Sequence, residues 1–201
     1  MGIRNIVFDF GRVLVDWNPR YLFDKVFPTV EESERFLRDI CTMDWNVQMD
    51  CGKPYSVGTE ELSRLYPEWR EQIMLYDSRW FEMMGDEIPG MEVLLEEITA
   101  KGLHRYGLSN WSAEKFPRVR ETYPIFRHME GMVVSGDVKA IKPHPAIYRI
   151  LMEKYSLTPG ECLFVDDNKD NVQGALDVGM NAVLFTGADD LRKYLRDNGI
   201  L

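Results

Sequence analysis

Five short apolar runs limit what this chain can fold into: IVF at 6–8, YGLS at 106–109, MVVS at 132–135, CLFVD at 162–166 and NAVLF at 181–185. Each is too short for a core helix and lacks the apolar–polar alternation of a strand with one face in water. They read as strands buried on both faces. Segments of helical period lie between them. Met91, Leu94, Leu95 and Ile98 share one face, as do Ile147, Ile150 and Leu151, and Pro145 suits the first turn of the latter helix. Strands alternating with helices imply an α/β fold: a doubly wound, mostly parallel sheet of Rossmann type covered on both faces.

Residues 17–87 break the alternation. They show no strand pattern, only helix-like pieces. Asn18 and Pro19 read as a cap and first-turn pair. TVEESERFLRDI places Thr29 and Glu32 at capping-box spacing, with Phe36, Leu37 and Ile40 on one side, and PEWREQIMLYDSRWFEMM is a longer amphipathic stretch. The expected organisation is a core made of residues 1–16 and 88–201, with a small helical cap at 17–87 inserted after the first strand. Ligands of doubly wound sheets bind beyond the carboxyl ends of the strands, so an insertion at that point roofs the binding site.

Composition removes whole classes of function. The chain of 201 residues is 45% hydrophobic and 28% charged, which suits a folded globule rather than a disordered segment. A net charge of −9 argues against a nucleic-acid binder or an anionic-membrane binder, since both need a basic surface. Cys41, Cys51 and Cys162 are odd in number and have no metal-site spacing, which favours a reducing cytoplasm over a disulfide scaffold. No basic leader followed by an apolar run opens the sequence, and no stretch is long enough to span a bilayer. A cytoplasmic protein is the expectation, and the sequence leaves the oligomeric state open, a monomer included.

Polar residues gather where the strands end. The first strand delivers Asp9, the second Ser109 and Asn110, and the fourth Asp166 and Asp167, while Lys142 lies in the loop after the third. A lone Asp at a strand end is usually a turn former, and a lone Lys-Pro usually a solvated loop. Four such positions in order at one sheet edge exceed what turn chemistry explains.

The ordered set FDFGRVLVD, LSNWS, SGDVKAIKPHPAIY and LFVDDNKDNVQGA resembles the four motifs of the haloacid-dehalogenase-like superfamily, within it most of all the sugar-phosphatase branch that includes bacterial alpha-glucose-1-phosphatase. The resemblance covers nearly the whole chain, and the joint pattern is specific where each motif alone is weak. It implies a phosphatase in which Asp9 attacks phosphorus and forms an aspartyl-phosphate that water then hydrolyses. Ser109 and the Asn110 backbone N–H would grip the phosphate. Lys142 would bridge nucleophile and phosphate as a compact point charge, its backbone held extended by Pro143, with Lys139 a solvated neighbour. Asp9, the Gly11 carbonyl and Asp167 would bind Mg²⁺ directly, and Asp166 through a water; a hard cation relieves the repulsion among these carboxylates. Asn171 either orients the acidic pair or caps the next helix.

Gly11 departs from the superfamily's usual pattern, in which a second Asp acts there as general acid and base. Such catalysis is worth about 10²–10⁴ in rate, a small part of what enzymes reach on phosphate monoesters. The loss implies a preference for leaving groups that depart well, such as anomeric sugar phosphates. Two readings of Arg12 stand, contact with substrate or outward projection. Asp16 is either a substitute acid or a hinge residue, and His144 reads as a helix-start residue. Among the tryptophans, Trp45 is the candidate for lining the pocket. The expected partner is a small-molecule phosphate ester.

Competing readings fit less well. A haloacid dehalogenase attacks carbon without a metal and has neutral residues where this chain has Asp166 and Asp167. A phosphomutase needs the acid that Gly11 replaces. A receiver domain carries its acidic pair on the first strand, and a dinucleotide-binding enzyme needs a G-x-G-x-x-G absent here. A non-catalytic relative that only binds a phosphorylated ligand leaves the filled catalytic positions unexplained.

Overall fold

In the computed structural model, which describes residues 2–201, five parallel strands form one sheet: β1 (Asn5–Phe8), β4 (His104–Ser109), β5 (Gly131–Val134), β6 (Cys162–Asp166) and β7 (Asn181–Leu184). Their spatial order is β5-β4-β1-β6-β7, so the first strand lies at the centre, hydrogen-bonded to β4 and β6. These are the five apolar runs of the sequence, within two residues at each end. Alternate side chains leave opposite faces. Ile6, Phe8, Leu163 and Val165 enter one apolar layer, and Val7, Leu108, Val133 and Phe164 enter the other. Helices α6 (Met91–Ala100) and α11 (Ala188–Asp197) supply the first layer with Met91, Leu94, Leu95, Ile98, Leu191 and Leu195. Helices α9 (Pro145–Tyr155) and α10 (Lys169–Asp177) cover the second with Ile147, Tyr148, Leu151 and Ala175. The sheet is doubly wound, and none of the helices among the described residues is long and apolar enough to cross a membrane.

Residues 17–87 are not free of strands. β2 (Val15–Trp17) pairs antiparallel with β3 (Met84–Glu87), so the chain leaves and re-enters the core through a two-stranded ribbon. The sequence pattern missed it because MGDE carries Gly, Asp and Glu, which strands disfavour, and its pairing partner lies far away in sequence. Between the two strands run α1 (Arg20–Val26), α2 (Val30–Asp39), α3 (Met43–Asp50), α4 (Tyr55–Leu65) and α5 (Arg70–Ser78). Local signals set their starts. Thr29 Oγ1 accepts the Glu32 amide at 3.3 Å, Thr42 Oγ1 accepts the Trp45 amide at 3.1 Å, and Asn18 Oδ1 accepts the Arg20 amide at 3.0 Å.

The helices share a core of aromatic side chains: Phe23, Phe36, Trp45, Tyr55, Tyr76 and Trp80. That core runs on into the sheet's own through Trp80, which meets Trp111 edge-on at 5.9 Å, and Trp111 in turn lies against Phe10 and Phe116. Gly107, in β4, makes room for this cluster, because a Cβ there would overlap the Phe10 ring. Phe10 is itself stacked on Phe116 at 5.1 Å and edge-on to Phe126 at 5.0 Å, so it has nowhere to move. Gly107→Ala should therefore lose about 1–3 kcal/mol of stability. Gly160→Ala, whose Cβ meets nothing within 4 Å, should change it by less than about 0.5 kcal/mol. Urea unfolding of the two variants checks both.

Candidate active site

The carboxyl ends of β1, β4 and β6 meet at one buried cluster. Asp9 follows directly on β1, its amide bonded to the Val165 carbonyl of β6, and its side chain is 11% exposed. Its Oδ1 accepts three hydrogen bonds, from the Phe10 amide at 2.7 Å, Ser109 Oγ at 2.6 Å and Lys142 Nζ at 2.9 Å. Lys142 Nζ also reaches Asp166 Oδ2 at 2.6 Å, with its side chain 1% exposed and that of Asp166 wholly buried. One ammonium thus stands between two carboxylates out of water. Burial pushes the Asp9 carboxyl up to about 6; the Lys142 charge pulls it down and Asp166 pushes it up further. Burial works against the Lys142 charge, but the two carboxylates outweigh it and hold its pKa above the ordinary value.

Asp166 is tied from every side. Asn168 donates its amide at 2.8 Å, and Asn171 Nδ2 lies 3.2 and 3.1 Å from the two carboxylate oxygens. The cap of α10 is Asn168, whose Oδ1 accepts the Asp170 amide at 2.8 Å, so of the two readings of Asn171 the geometry favours orientation of Asp166. Asp167 is less buried and pairs with Arg12, whose backbone is left-handed at φ 60°. Arg12 thus folds back onto the acidic pair. Oxygens of Asp9, Asp166 and Asp167 lie within 4.8 Å of one another. Three hard donors converging with a single buried cation suit a divalent metal of Mg²⁺ type.

Asn110 has a role that the sequence does not display. Its side chain accepts the Lys142 amide at 2.8 Å and donates to the Lys142 carbonyl at 2.9 Å. This reciprocal pair fixes the loop that carries the lysine. Gly11 sits in the turn after Asp9, where a Cβ would meet only the Trp111 ring at 3.6 Å, an ordinary contact. His144 caps α9 by accepting the Ala146 amide at 3.2 Å, as its position implies.

Two expected side chains lie elsewhere. Asp16 accepts a hydrogen bond from the Tyr21 hydroxyl and lines a groove of about 710 Å³ with Arg20, Asp24, Asp86 and Pro89, a lining that includes none of Asp9, Ser109, Lys142, Asp166 and Asp167. In β2 it points to the outer side of the ribbon. Trp45 packs edge-on to Tyr76 at 4.9 Å and donates Nε1–H to the Gly58 carbonyl at 3.3 Å, so its ring serves the core of the helical segment. Lys139 is exposed, in keeping with a solvated neighbour, and its ammonium bonds the Gly136 carbonyl at 2.7 Å and the Gly52 carbonyl at 3.3 Å.

Asp50 is the acid that sequence reasoning missed. It is the last residue of α3, half-buried, and its Oδ2 accepts Asn46 Nδ2 at 3.0 Å. Burial raises its carboxyl to about 8; the Asp9 charge adds to the rise and the Ser112 amide opposes it. A single Asp before Cys51 and Gly52 carries no motif, so only the fold places it within range of the Asp9 charge.

A family model for haloacid dehalogenase-like hydrolases matches residues 47–185, more than half of the chain. The chain belongs to this family. The matched stretch contains Ser109, Lys142, Asp166 and Asp167 but begins after Asp9. Among curated proteins, the chain is 24% identical over 181 residues to a phosphorylated carbohydrates phosphatase of Thermotoga maritima, covering 89% of this chain and 82% of that one. It is 26% identical over 153 residues to flavin mononucleotide hydrolase 1 of Arabidopsis thaliana, covering 72% of this chain; it spans 59% of that relative's length. A haloacid-dehalogenase-family enzyme of Bacteroides thetaiotaomicron, solved with magnesium and inorganic phosphate, superposes with a TM-score of 0.73 at 22% identity, over 97% of this chain and 100% of the other. L-2-haloacid dehalogenase of Xanthobacter autotrophicus gives 0.66 at 19%, over 99% and 84%. These two structures share the fold of this hydrolase.

The buried lysine sets a test. Lys142→Met leaves Asp9 and Asp166 without their cation, which should cost about 3–5 kcal/mol at pH 7 in chelator. A carboxyl whose folded pKa lies above its unfolded value of 3.8 is bound to more protons in the native state. Its contribution to stability therefore falls as pH rises through that window. The deficit of the variant should shrink between pH 7 and pH 5, as urea unfolding at the two pH values would show.

Proposed function

We propose that this hydrolase is a Mg²⁺-dependent phosphatase of small phosphate monoesters, sugar phosphates foremost, working through an aspartyl-phosphate on Asp9. The observation that carries the reading is the buried Asp9–Lys142–Asp166 cluster with Ser109 on the same carboxylate oxygen. Asp9 lies at the central strand's end, where ligands of this kind of sheet bind, and its carboxylate attacks phosphorus as the ester oxygen departs. Ser109 and the Asn110 amide hold phosphate oxygens, and Lys142 offsets their charge. Asp9, Asp166, Asp167 and the Gly11 carbonyl would hold Mg²⁺, which when bound supplies positive charge to the phosphoryl oxygens. Water then attacks the phosphorus of the phosphorylated Asp9 and releases phosphate.

The phosphatase names of relatives support the reaction class, and that of the Thermotoga maritima enzyme supports sugar phosphates. Preference for anomeric esters follows from Gly11 only so far as no other group supplies the leaving oxygen's proton. Residues 17–87 serve in this reading as a cap that excludes water and selects substrate. The free thiols of Cys41, Cys51 and Cys162 accord with a reducing cytoplasm.

Turnover of a panel of phosphate esters should require Mg²⁺ and stop in excess chelator; full activity in chelator overturns the metal assignment. Asp9→Asn should reduce turnover to trace levels without unfolding the protein, with circular dichroism as the control. More than trace activity in that variant would place the nucleophile elsewhere.

A further inference from the structure

Gly11 leaves the reaction without a proton donor on the core, and the helical segment brings one in. Asp50 closes α3 directly above the loops that follow β4 and β5. Ser135, just past β5, donates its hydroxyl to the Asp50 carbonyl and accepts the Trp111 amide at 2.9 Å. Two residues past Asp50, the Gly52 carbonyl accepts from Lys139 Nζ, and Glu114 accepts the Tyr55 amide at 3.0 Å. The Lys115 ammonium pairs with Asp77 and lies 4.9 Å from the Tyr55 ring centroid. The end of α3 is therefore tied to the segment after β5, which Ser135 joins to the Trp111 amide in the loop after β4.

The carboxyl group itself is held by a buried relay. Trp80 Nε1–H donates to the Tyr55 hydroxyl at 3.1 Å, that hydroxyl donates to Asn46 Oδ1 at 3.1 Å, and Asn46 Nδ2 donates to Asp50 Oδ2 at 3.0 Å. Tyr55 and Asn46 are 1% and 4% exposed. Local helix physics argues against this placement: an acid in the last turn faces the negative end of the helix dipole. A chain that keeps an acid there and builds three aromatic and amide side chains behind it departs from local preference, as functional sites do.

Resting on the phosphatase reading above, we propose that Asp50 is the general acid and base of the reaction, delivered from the helical segment in place of the residue that Gly11 lacks. As Asp9 attacks phosphorus and the P–O bond to the alcohol breaks, the Asp50 carboxyl proton passes to the departing oxygen. The Asp50 carboxylate then takes a proton from the water that attacks phosphorus, the bond to Asp9 breaks, and phosphate leaves. Both groups end in their starting protonation states. The elevated pKa of Asp50, raised by burial and by the charge on Asp9, is in keeping with a carboxyl that starts the cycle protonated. With Asp50 in this role, the preference for easily departing anomeric esters expected from Gly11 is narrowed in the native protein and emerges only when Asp50 is changed.

Two aryl esters of similar shape separate an acid from a docking residue: 4-nitrophenyl phosphate, whose oxygen departs well unprotonated, and 4-methylphenyl phosphate, whose oxygen departs poorly. The kcat/KM of each covers the steps up to loss of the first alcohol, so later hydrolysis of the phosphorylated enzyme does not enter. In Mg²⁺, Asp50→Asn should lower kcat/KM for the methylphenyl ester by about 10²–10⁴ and for the nitrophenyl ester by at least tenfold less. Asp50→Glu should recover part of the methylphenyl rate. Ser135→Ala, which loosens the docking that positions Asp50, should slow the methylphenyl ester more than the nitrophenyl ester, by a smaller ratio than Asp50→Asn. Equal losses on the two esters for Asp50→Asn, or no loss on either, overturn the assignment of Asp50 and leave the phosphatase reading intact. Absence of Mg²⁺-dependent turnover of either ester by the unsubstituted protein overturns both.

Discussion

One lysine ammonium held between two buried carboxylates is the constraint on which the rest of this molecule depends. Charges of that kind are tolerated out of water only when each is paired and hydrogen-bonded. The surroundings of Lys142 meet that demand closely. Asp9 and Asp166 take the ammonium, Asn110 grips the lysine's backbone on both sides, and Asn168 and Asn171 occupy the remaining lone pairs of Asp166. The central position of β1 follows from the same requirement. Only a strand with neighbours on both sides can carry Asp9 to a point that Ser109 from β4 and Asp166 from β6 both reach.

The second constraint is the joint between helical segment and sheet. The segment lacks a sealed core of its own; its aromatic cluster runs through Trp80 and Trp111 to Phe10, one residue from Asp9. Packing of that density transmits position, so the helices are placed relative to the carboxyl end of the sheet by contacts that also build the core. Polar ties from Ser135 and Lys139 then hold the end of α3, and those from Glu114 and Lys115 hold the start of α4 and Asp77 of α5. The groove at the β2–β3 ribbon, where Asp16 lies, is a product of the same connection and is lined by none of Asp9, Ser109, Lys142, Asp166 and Asp167.

Reading the sequence by period and by strand ends reaches most of the framework. Short apolar runs locate all five parallel strands, because a buried parallel strand needs continuous apolarity that little else produces. Thr29 and Pro145 announce helix starts through chemistry that acts within one turn. Asp9, Ser109, Lys142 and the pair at 166 and 167 are legible because each sits at a fixed point relative to a strand. Outside that reach are Asn110's grip on Lys142, the turning of Asp16 into the outer groove, the commitment of Trp45 to the helical core, and the ribbon of β2 and β3. Each is decided by a partner at least a dozen residues away or by which face of a ribbon turns inward.

Sequence alone determined the class of fold and the residues gathered at its carboxyl edge, since strand burial, helix period and capping act over a few residues and leave a local trace. Tertiary structure alone decided what those residues do to one another. That Lys142 is shared by two acids, that Arg12 folds back on Asp167, and that the end of a distant helix is tied by Ser135 to the segment after β5 are matters of distance in space. The physical reason is the range of the forces. Propensities act between neighbours along the chain, whereas desolvation and charge act between whatever the fold brings together.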